Sequence, residues 1–296
     1  MNHRKRAYLE THIAVILFGF TAILGKLILL SAFQLVWWRV LFTSISLIAF
    51  NEVRKGFFIL SKKGKRKFLL IGVLVGLHWV CFYGSIKYAN ASIALVTFAA
   101  VSLFTSFLNP LILRTTINKL DVAVGILIIP GMALIVNNIN INLVAGFWLG
   151  ILSAFLASLF TIYNKKYIEE AEPLLITFLE MFGALCFLSI CVPISVLCLQ
   201  YKMEIPSILD LGYLLILALL CTTLAYALSL KALKFISTFE SNLIYNLEPI
   251  YGIALAILIL NEHKQLTTNF YIGVALILSL IFIHPILAKK YSSYES

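Results

Sequence analysis

From Phe239 to Leu260 the chain reads FESNLIYNLEPIYGIALAILIL, an apolar run that is long enough to cross a lipid bilayer. Glu248 and Pro249 lie near the middle of this run. A carboxylate at bilayer depth costs several kcal/mol, and a proline within a helix leaves a backbone carbonyl without its hydrogen bond. Because both occur together, the sequence predicts that a polar cavity, rather than lipid, faces Glu248.

Similar apolar runs recur along the whole chain. Of its 296 residues, 61% are hydrophobic and only 12% are charged, against about 25% charged in soluble proteins. The stretches 69–83 and 211–227 are almost continuously apolar, unlike the alternating strands of a membrane β-barrel. The sequence therefore predicts an all-α polytopic membrane protein.

Charges, prolines and polar clusters divide the chain into ten predicted transmembrane helices. These spans cover 10–31, 34–52, 68–87, 91–113, 120–137, 144–165, 174–199, 209–231, 237–260 and 267–288. Apart from Lys26 and Arg39, which lie inside spans, 18 lysines and arginines lie at the termini, in alternate loops or at the span ends beside them, and three lie in or beside the other loops. By the positive-inside rule, this predicts a multi-pass protein of the cytoplasmic membrane with both termini cytoplasmic.

The net charge of +10 does not require a nucleic-acid partner. The basic segment 62–67 lies in a predicted cytoplasmic loop, where it is expected to face anionic membrane lipids. The five cysteines fall within predicted spans without a C-x-x-C pair, so neither a metal site nor a disulfide framework is expected. No cofactor and no cleavable signal peptide are predicted.

The two halves of the chain share short similarities. Three pairs recur at related spacings: Ser85-Ile86-Lys87 and Ser229-Leu230-Lys231, 144 apart; Gly125 and Gly273, 148 apart; and Lys26 and Lys165, 139 apart. Five spans per half would turn the second copy upside down, which is typical of secondary transporters with a site between the halves. We therefore predict two inverted five-helix repeats, 1–140 and 141–290, and a cytoplasmic tail, 291–296. Chance similarity among apolar segments is the alternative.

Ionisable side chains within spans are candidates for function. Arg39 follows two tryptophans, so it either reaches the membrane interface or attracts an anion at the outer mouth. Glu180 either pairs with Lys165 or Lys166, or is protonated in a purely structural role, or contributes to a site. Glu262 is expected to be a simple loop residue beyond the ninth span.

Polar stripes accompany these ionisable residues. Ser241, Tyr245 and Glu248 share one helix face by their spacing. Hydroxyl side chains of this kind either line a wet path or form interhelical hydrogen bonds. His78, with Phe82 and Tyr83 close behind it, is either a packing histidine or part of the same path.

Taken together, these motifs resemble the EamA-type branch of the drug/metabolite transporter superfamily over nearly the whole chain. The resemblance rests on Phe18-Gly19-Phe20, Trp38-Arg39, His78-Trp79, Tyr83, Ser85-Ile86-Lys87, Tyr226 through Lys231-Ala232-Leu233, Leu247-Glu248-Pro249 and Asn261-Glu262. The first half departs from the family, because no glutamate follows the fourth span and Phe18 stands where tryptophan is common. The resemblance implies two inverted five-helix repeats and transport of small organic molecules.

The function predicted is a secondary transporter that exports a small organic metabolite, such as an amino acid, by alternating access. Its site would lie between spans one, three and four and spans six, eight and nine. The candidate substrate-binding residues are Arg39, His78, Phe82, Tyr83, Glu180, Tyr226, Ser241, Tyr245 and Glu248. Gly125 and Gly273 could pack against a second copy, which suggests a homodimer.

Two other classes of function fit the sequence less well. A channel or a non-catalytic interaction protein is the main alternative. An intramembrane enzyme is disfavoured, because Asp121 and Asp210, the two aspartates, lie at span ends, and no H-E-x-x-H or G-x-S-x-G motif is present. No nucleotide-binding G-x-x-x-x-G-K-[ST] motif occurs either.

Overall fold

The structure is a computed structural model that describes residues 3–136, 140–199, 202–245 and 247–292. Within these ranges the chain is helical and no residue is in a strand. The helices are α1 (His3–Leu27), α2 (Ala32–Ile48), α3 (Asn51–Ile59), α4 (Lys62–Tyr88), α5 (Ala91–Phe98), α6 (Val101–Leu113), α7 (Lys119–Val136), α8 (Val144–Tyr167), α9 (Pro173–Leu199), α10 (Ile208–Ala218), α11 (Ala225–Leu233), α12 (Thr238–Tyr245), α13 (Glu248–Leu260) and α14 (Thr268–Ser292). Most of the predicted tail, and the side chain of Cys198, lie outside the described residues.

Six described segments are long and apolar enough to cross a membrane. They are His3–Leu27, Lys62–Tyr88, Ala91–Leu113, Ile141–Glu170, Pro173–Pro193 and Ile208–Leu233, and a bent pair, α2 and α3, would make a seventh. The chain is thus an all-helical, multi-pass membrane protein. Each of the ten predicted spans coincides with one helix or with consecutive helices, while the count of ten membrane crossings stays a prediction.

Helix α3 lies where the sequence indicated only a connecting loop. Its axis makes an angle of 89° with α2. Phe58 and Ile59 are each 84% exposed on it, and the charged Arg54 and Lys55 are also exposed. A short helix of this mixed character is too brief to span a bilayer, which is why the hydropathy of the sequence did not indicate it.

Two helical segments are broken within the bundle, one in each half. The break between α5 and α6 falls at residues 99–100, and α13 is preceded by a turn at Leu247. Pro249 therefore sits in the first turn of α13, where its missing N–H costs no helical hydrogen bond. Helices α6 and α13 each have 13 residues, and each ends on a left-handed residue with φ of 56°, at Arg114 and Asn261. These two residues are 147 positions apart.

A π-helical turn, Leu219–Leu224, joins α10 to α11. Within it the Thr222 and Thr223 hydroxyls donate to carbonyl oxygens five residues earlier, at 2.7 and 3.0 Å. The corresponding helix of the first half, α4, is a continuous α-helix. Single π turns of this kind occur frequently at functional sites.

Close helix packing depends on small residues. A Cβ on Gly72 would lie 2.1 Å from the backbone oxygen of Glu180, so α4 and α9 touch backbone to backbone. Gly125 and Gly273 also contact neighbouring helices of the same chain, at α6 and α7 respectively. Their proposed use as a surface for a second copy is therefore wrong, and the homodimer stays a prediction.

Candidate functional site

A buried cavity lies where the two halves of the chain meet. Its volume is about 60 Å³, several times the roughly 10–15 Å³ that one water molecule needs. It is bounded by α1, α2, α4, α5, α8, α11, α12 and α13. The lining residues are Phe18, Thr21, Arg39, His78, Trp79, Phe82, Phe98, Ala157, Phe160, Thr161, Tyr226, Ser229, Tyr245 and Glu248. Half of these are phenylalanine, tyrosine or tryptophan.

Residues at related positions of the two halves recur in the cavity wall. The pairs are Phe18 with Ala157 and Thr21 with Phe160, both 139 apart; Phe82 with Tyr226, 144 apart; and Phe98 with Tyr245, 147 apart. The spacings of 139 and 144 match those of the short sequence similarities. Side chains at these recurring spacings therefore line one cavity.

Arg39 reaches the cavity from α2 and is only 2% exposed. Its Nε donates to the Thr222 hydroxyl at 2.7 Å, Nη1 donates to the Tyr83 hydroxyl at 2.8 Å, and Nη2 donates to the Cys221 carbonyl at 3.3 Å. The guanidinium carbon is 3.6 Å from the centroid of the Trp79 ring, a cation–π contact. The alternative in which Arg39 reaches the membrane interface is wrong, because its side chain points into the bundle.

The bonds of Arg39 leave part of its guanidinium available. Five N–H groups are present and three are used by these neighbours. All three acceptors are uncharged, and no carboxylate of the described chain lies within 4 Å of Arg39. The result is a buried cation at the cavity wall with two N–H groups to spare.

Glu248 begins α13 and is 5% exposed. Its side chain lines the same cavity as Arg39. Among the residues that the structure describes, no side chain donates a hydrogen bond to this carboxylate and no basic group lies within 4 Å of it. The acid that the sequence singled out therefore faces a space between helices, where its carboxylate has no ion pair or side-chain hydrogen bond among the described residues.

Glu180 lies behind the cavity wall rather than in it. The side chain is fully buried on α9, and its Oε2 accepts hydrogen bonds from the Tyr226 hydroxyl and, at 3.4 Å, from Asn164 Nδ2. The expected pairing with Lys165 or Lys166 is wrong. Both lysines are long enough to reach carbonyl oxygens at helix ends instead, Lys165 at 2.7 and 2.9 Å and Lys166 at 3.4 Å.

The remaining predicted residues differ in their contact with the cavity. His78 and Phe82 line it, and the imidazole Nδ1 of His78 is 2.8 Å from the Ser153 hydroxyl. Tyr83 stands behind Arg39 and is fully buried. Ser241 does not line the cavity, and its buried hydroxyl has no partner within the described part of the chain.

Tyr226 and Tyr245 both line the cavity, and the hydroxyl of each forms a hydrogen bond to a neighbouring side chain. Tyr226 contacts Glu180, as described above, and Tyr245 shares a hydrogen bond with the Ser229 hydroxyl. Phe18 packs edge-on to Tyr245, with ring centroids 6.0 Å apart. The hydroxyl groups near the cavity therefore connect helices as well as face the space.

Several residues of the cavity were missed by sequence reasoning. Trp79 directly follows the predicted residue His78, and this adjacency was the one signal in the sequence that could have placed Trp79 at the cavity. Phe160 gave no signal, because a phenylalanine in a membrane span faces lipid as often as protein. Thr222 binds Arg39 only because the π turn redirects it, which no pattern in the sequence indicates.

Glu262 is the clearest correction to the sequence analysis. It follows α13, where a loop was expected, but its side chain is only 2% exposed. Oε1 accepts from the Ala91 backbone N–H at 3.0 Å, and Oε2 accepts from the Ser92 backbone N–H at 2.9 Å and from the Ser92 hydroxyl at 2.7 Å. A carboxylate of the second half thus caps α5 of the first half, a favourable place for negative charge.

Charged contacts also join the halves at the opposite end of the helices. Glu240 accepts from Arg4 at 2.7 Å and from the Tyr8 hydroxyl at 2.6 Å. Glu10 binds Arg6 and Lys231, both at 2.9 Å. The start of α1 is thereby linked to α11 and α12.

Comparisons with known proteins agree with this architecture. The model of the EamA-like transporter family matches residues 6–137 and 144–284. A protein of Bacillus subtilis (strain 168), described as "Uncharacterized transporter YetK", is 25% identical over 304 residues, covering 98% of this chain and 90% of that protein. A solved crystal structure with 13% identity, covering 96% of this chain and 98% of its own, superposes with a TM-score of 0.68 and so shares the fold. The resemblance found in the sequence is confirmed, and the chain belongs to the EamA-like transporter family.

Proposed function

We propose that this membrane transporter is a secondary transporter that exports a small zwitterionic metabolite, such as an amino acid, by alternating access. One observation carries the proposal: Arg39 and Glu248 line the same small cavity without pairing with each other. Family membership points to transport rather than to an enzyme.

The cavity offers complementary partners for the two charges of a zwitterion. The two spare N–H groups of Arg39 can bind a carboxylate, and an arginine often does so through two parallel hydrogen bonds. The Glu248 carboxylate can accept from an ammonium group. The aromatic walls would enclose an apolar side chain, as expected for a small-molecule site with few polar groups.

Two contacts border the cavity along the membrane normal. In the predicted orientation, the bond between Ser229 and Tyr245 lies on the cytoplasmic side of Glu248, and the bonds from Arg39 to Tyr83 and Thr222 lie on the outer side. Between these contacts, side chains from eight helices line the cavity. This supports a closed arrangement that must open on one side or the other to admit substrate.

Several features support ten spans in two inverted halves, 1–140 and 141–290. Residues of the cavity wall pair at spacings of 139, 144 and 147. The helix breaks before Val101 and Glu248 have the same spacing of 147 as the left-handed residues Arg114 and Asn261. Broken helices at corresponding places of two halves are a feature of secondary transporters. The family model also matches the two halves separately.

Contacts between the proposed halves occur at both ends of the bundle. At the proposed cytoplasmic end, Arg4 binds Glu240 and Lys231 binds Glu10. At the proposed outer end, Glu262 caps α5, and Asp210 accepts from the Leu29 backbone N–H at 2.9 Å. Opening each side would break one set of contacts and keep the other, which is the exchange that alternating access requires.

The decisive experiment is transport into proteoliposomes that contain the purified protein. Vesicles are loaded with a mixture of unlabelled L-amino acids, and the uptake of each radiolabelled L-amino acid by exchange is measured. The proposal expects uptake of at least one, and its loss in Arg39→Gln and Glu248→Gln but not in the control Lys26→Gln. Transport of organic anions or cations without zwitterions would overturn the proposed substrate class, and ion currents at channel rates would overturn the mechanism.

A further inference from the structure

Glu180 is the one buried carboxylate beside the cavity that the proposed substrate contacts do not use. Its Oε1 has no hydrogen-bond partner within the described chain, although the group is fully buried. The amide oxygen of its neighbour Asn164 also has none there. The cluster therefore holds two acceptor oxygens that receive no hydrogen bond from the described chain. A proton bound to one of them supplies the missing donor.

The helices packed against Glu180 bring no cation to it. From α4, the backbone of Gly72 faces it, and from α11 the hydroxyl of Tyr226 does. The guanidinium of Arg39 on α2 is bonded elsewhere, and the basic side chains of α3 are exposed. Among the described residues, none of the ion pairs within 4 Å includes Glu180.

An ionised carboxylate in this place would be a buried charge without a counter-ion, which is strongly unfavourable. The neutral acid avoids that penalty. Its O–H group also needs an acceptor, and the Asn164 amide oxygen is available for this purpose in the same cluster. We propose that Glu180 is a proton-binding site of the transport cycle, connected to the cavity by Tyr226. The inference rests on the proposed function and adds the coupling ion to it.

Tyr226 provides the connection, because its ring lines the cavity while its hydroxyl contacts Glu180. The ring stands between Trp79 and Phe160, with centroids 6.4 Å from each. When the cavity opens to water and Tyr226 moves, Glu180 gains access to solvent. In the closed arrangement the same tyrosine seals it.

The substrate contacts and the proton site share one stretch of helix. Thr222, in the π turn, binds Arg39, and Tyr226 follows it by four residues. A substrate carboxylate that draws Arg39 away from Thr222 therefore acts on the helix that covers Glu180. This gives a physical route by which substrate and proton influence each other's binding.

The proton balance is simple. With the cavity open to the outside, a proton from the outer water binds a Glu180 oxygen and forms its O–H bond. With the cavity open to the cytoplasm, the same bond breaks and the proton passes to water there. One proton enters for each zwitterion that leaves, and no other reactant is involved.

Infrared difference spectroscopy tests the proton site without any substrate. Purified protein in lipid is titrated from acidic to alkaline pH, and the C=O stretch of protonated carboxyl groups is followed. We expect the isosteric Glu180→Gln to lose one titrating band that is kept in the control Glu10→Gln, whose carboxylate is buried but paired with Arg6 and Lys231. Identical titrations of the wild-type protein and Glu180→Gln would overturn the proposal.

Tyr226→Phe examines the connection to the cavity. This substitution keeps the ring and removes the hydroxyl, so the Glu180 band should remain but titrate at a different pH. An unchanged titration would show that Tyr226 has no part in the proton site. Because Glu180 itself is intact in this variant, the measurement also serves if Glu180→Gln does not fold.

Proteoliposomes then separate proton coupling from transport itself. For Glu180→Gln we expect exchange of labelled L-amino acids to persist, while accumulation driven by a pH gradient falls at least about tenfold. Loss of gradient-driven uptake also in Glu52→Gln, an exposed carboxylate on α3, would overturn the assignment to Glu180. If the wild-type protein exchanges no amino acid, the proposed function fails, and the infrared titration still decides the proton site.

Discussion

Phe98 and Tyr245 are the last residues of α5 and α12, stand 147 positions apart, and both line the cavity. Each precedes a break in a helical segment that lies within the bundle. The chain thus brings one interrupted helix from each half to the same space. Interrupted helices leave backbone polar groups free to serve a ligand, which is tolerated in a membrane only beside protein or water.

Arg39→Lys should lower transport at least about tenfold, because lysine cannot keep the stacking on Trp79 and the fork-shaped set of hydrogen bonds. The measurement is the concentration dependence of labelled amino-acid exchange in proteoliposomes. The control is Lys26→Arg at the end of α1. It likewise replaces one basic residue by the other and should leave the transport rate unchanged. Equal rates in the wild-type protein and Arg39→Lys would contradict the role given to the guanidinium.

Glu248→Gln should remove discrimination at the amino group of the substrate. A hydrogen bond to a charged partner contributes about 1.5–3 kcal/mol, so affinity for an amino acid should fall by roughly tenfold to a hundredfold. Affinity for the N-acetylated form of the same amino acid should change little. The measurement is competition by both compounds for binding of the labelled amino acid to the purified protein, which does not require the variant to transport. A parallel loss for both would mean that Glu248 serves the fold and not the ammonium group.

Gly72→Ala should destabilise the protein by about 1–3 kcal/mol, the usual cost of overpacking a tight contact. The added Cβ would lie 2.1 Å from the Glu180 backbone oxygen, which no side-chain rotation can relieve. Gly212→Ala is the matched control, since a Cβ there meets nothing within 4 Å. Thermal unfolding in detergent measures both. Similar Tm values for the two variants would contradict the close approach of α4 and α9.

Glu262→Gln should weaken the cap on α5 by about 1–2 kcal/mol, since it removes a charge from the N-terminus of a helix. Ser92→Ala removes one of the same hydrogen bonds. The double variant should therefore lose less stability than the sum of the two single variants, because the sites interact directly. Glu52→Gln, on the exposed face of α3, is the control. Additive losses would indicate that Glu262 and Ser92 are not in contact.

The orientation of the chain can be tested with single cysteines in a background without the native ones. Lys63 and Lys264 are both exposed and are predicted to lie on opposite sides of the membrane. A membrane-impermeant maleimide should label Lys264→Cys in intact cells, and Lys63→Cys only after the membrane is opened. The reverse result would contradict the cytoplasmic placement of both termini.

Glu248 could be singled out from the sequence because an acid and a proline together violate two rules of a lipid-facing helix. The same reasoning drew attention to Arg39, but its partners remained open, since Thr222 and Cys221 meet it only through the π turn. Local pattern thus identified the residues that needed an explanation. The contacts that explain them come from helices distant in the sequence.

Glu262 shows the opposite case. Beside a histidine and a lysine, at the end of an apolar run, it has the appearance of a solvated loop residue. Its partners, the backbone N–H groups of Ala91 and Ser92, lie about 170 positions away. A helix cap supplied from the other half leaves no periodic signal, so only the packed structure reveals it. Phe160 was missed for a related reason, because hydrophobicity alone does not distinguish a cavity wall from a lipid-facing surface.

The π turn at Leu219–Leu224 makes the two bundles unequal, because α4 has no such turn at the related place. Under the alternating access proposed above, tilting towards one compartment and towards the other would therefore deform different backbones. We expect the empty protein to favour one of the two orientations even when the aqueous compartments are identical. Substrate would then bind with the higher apparent affinity from the side to which the favoured orientation opens.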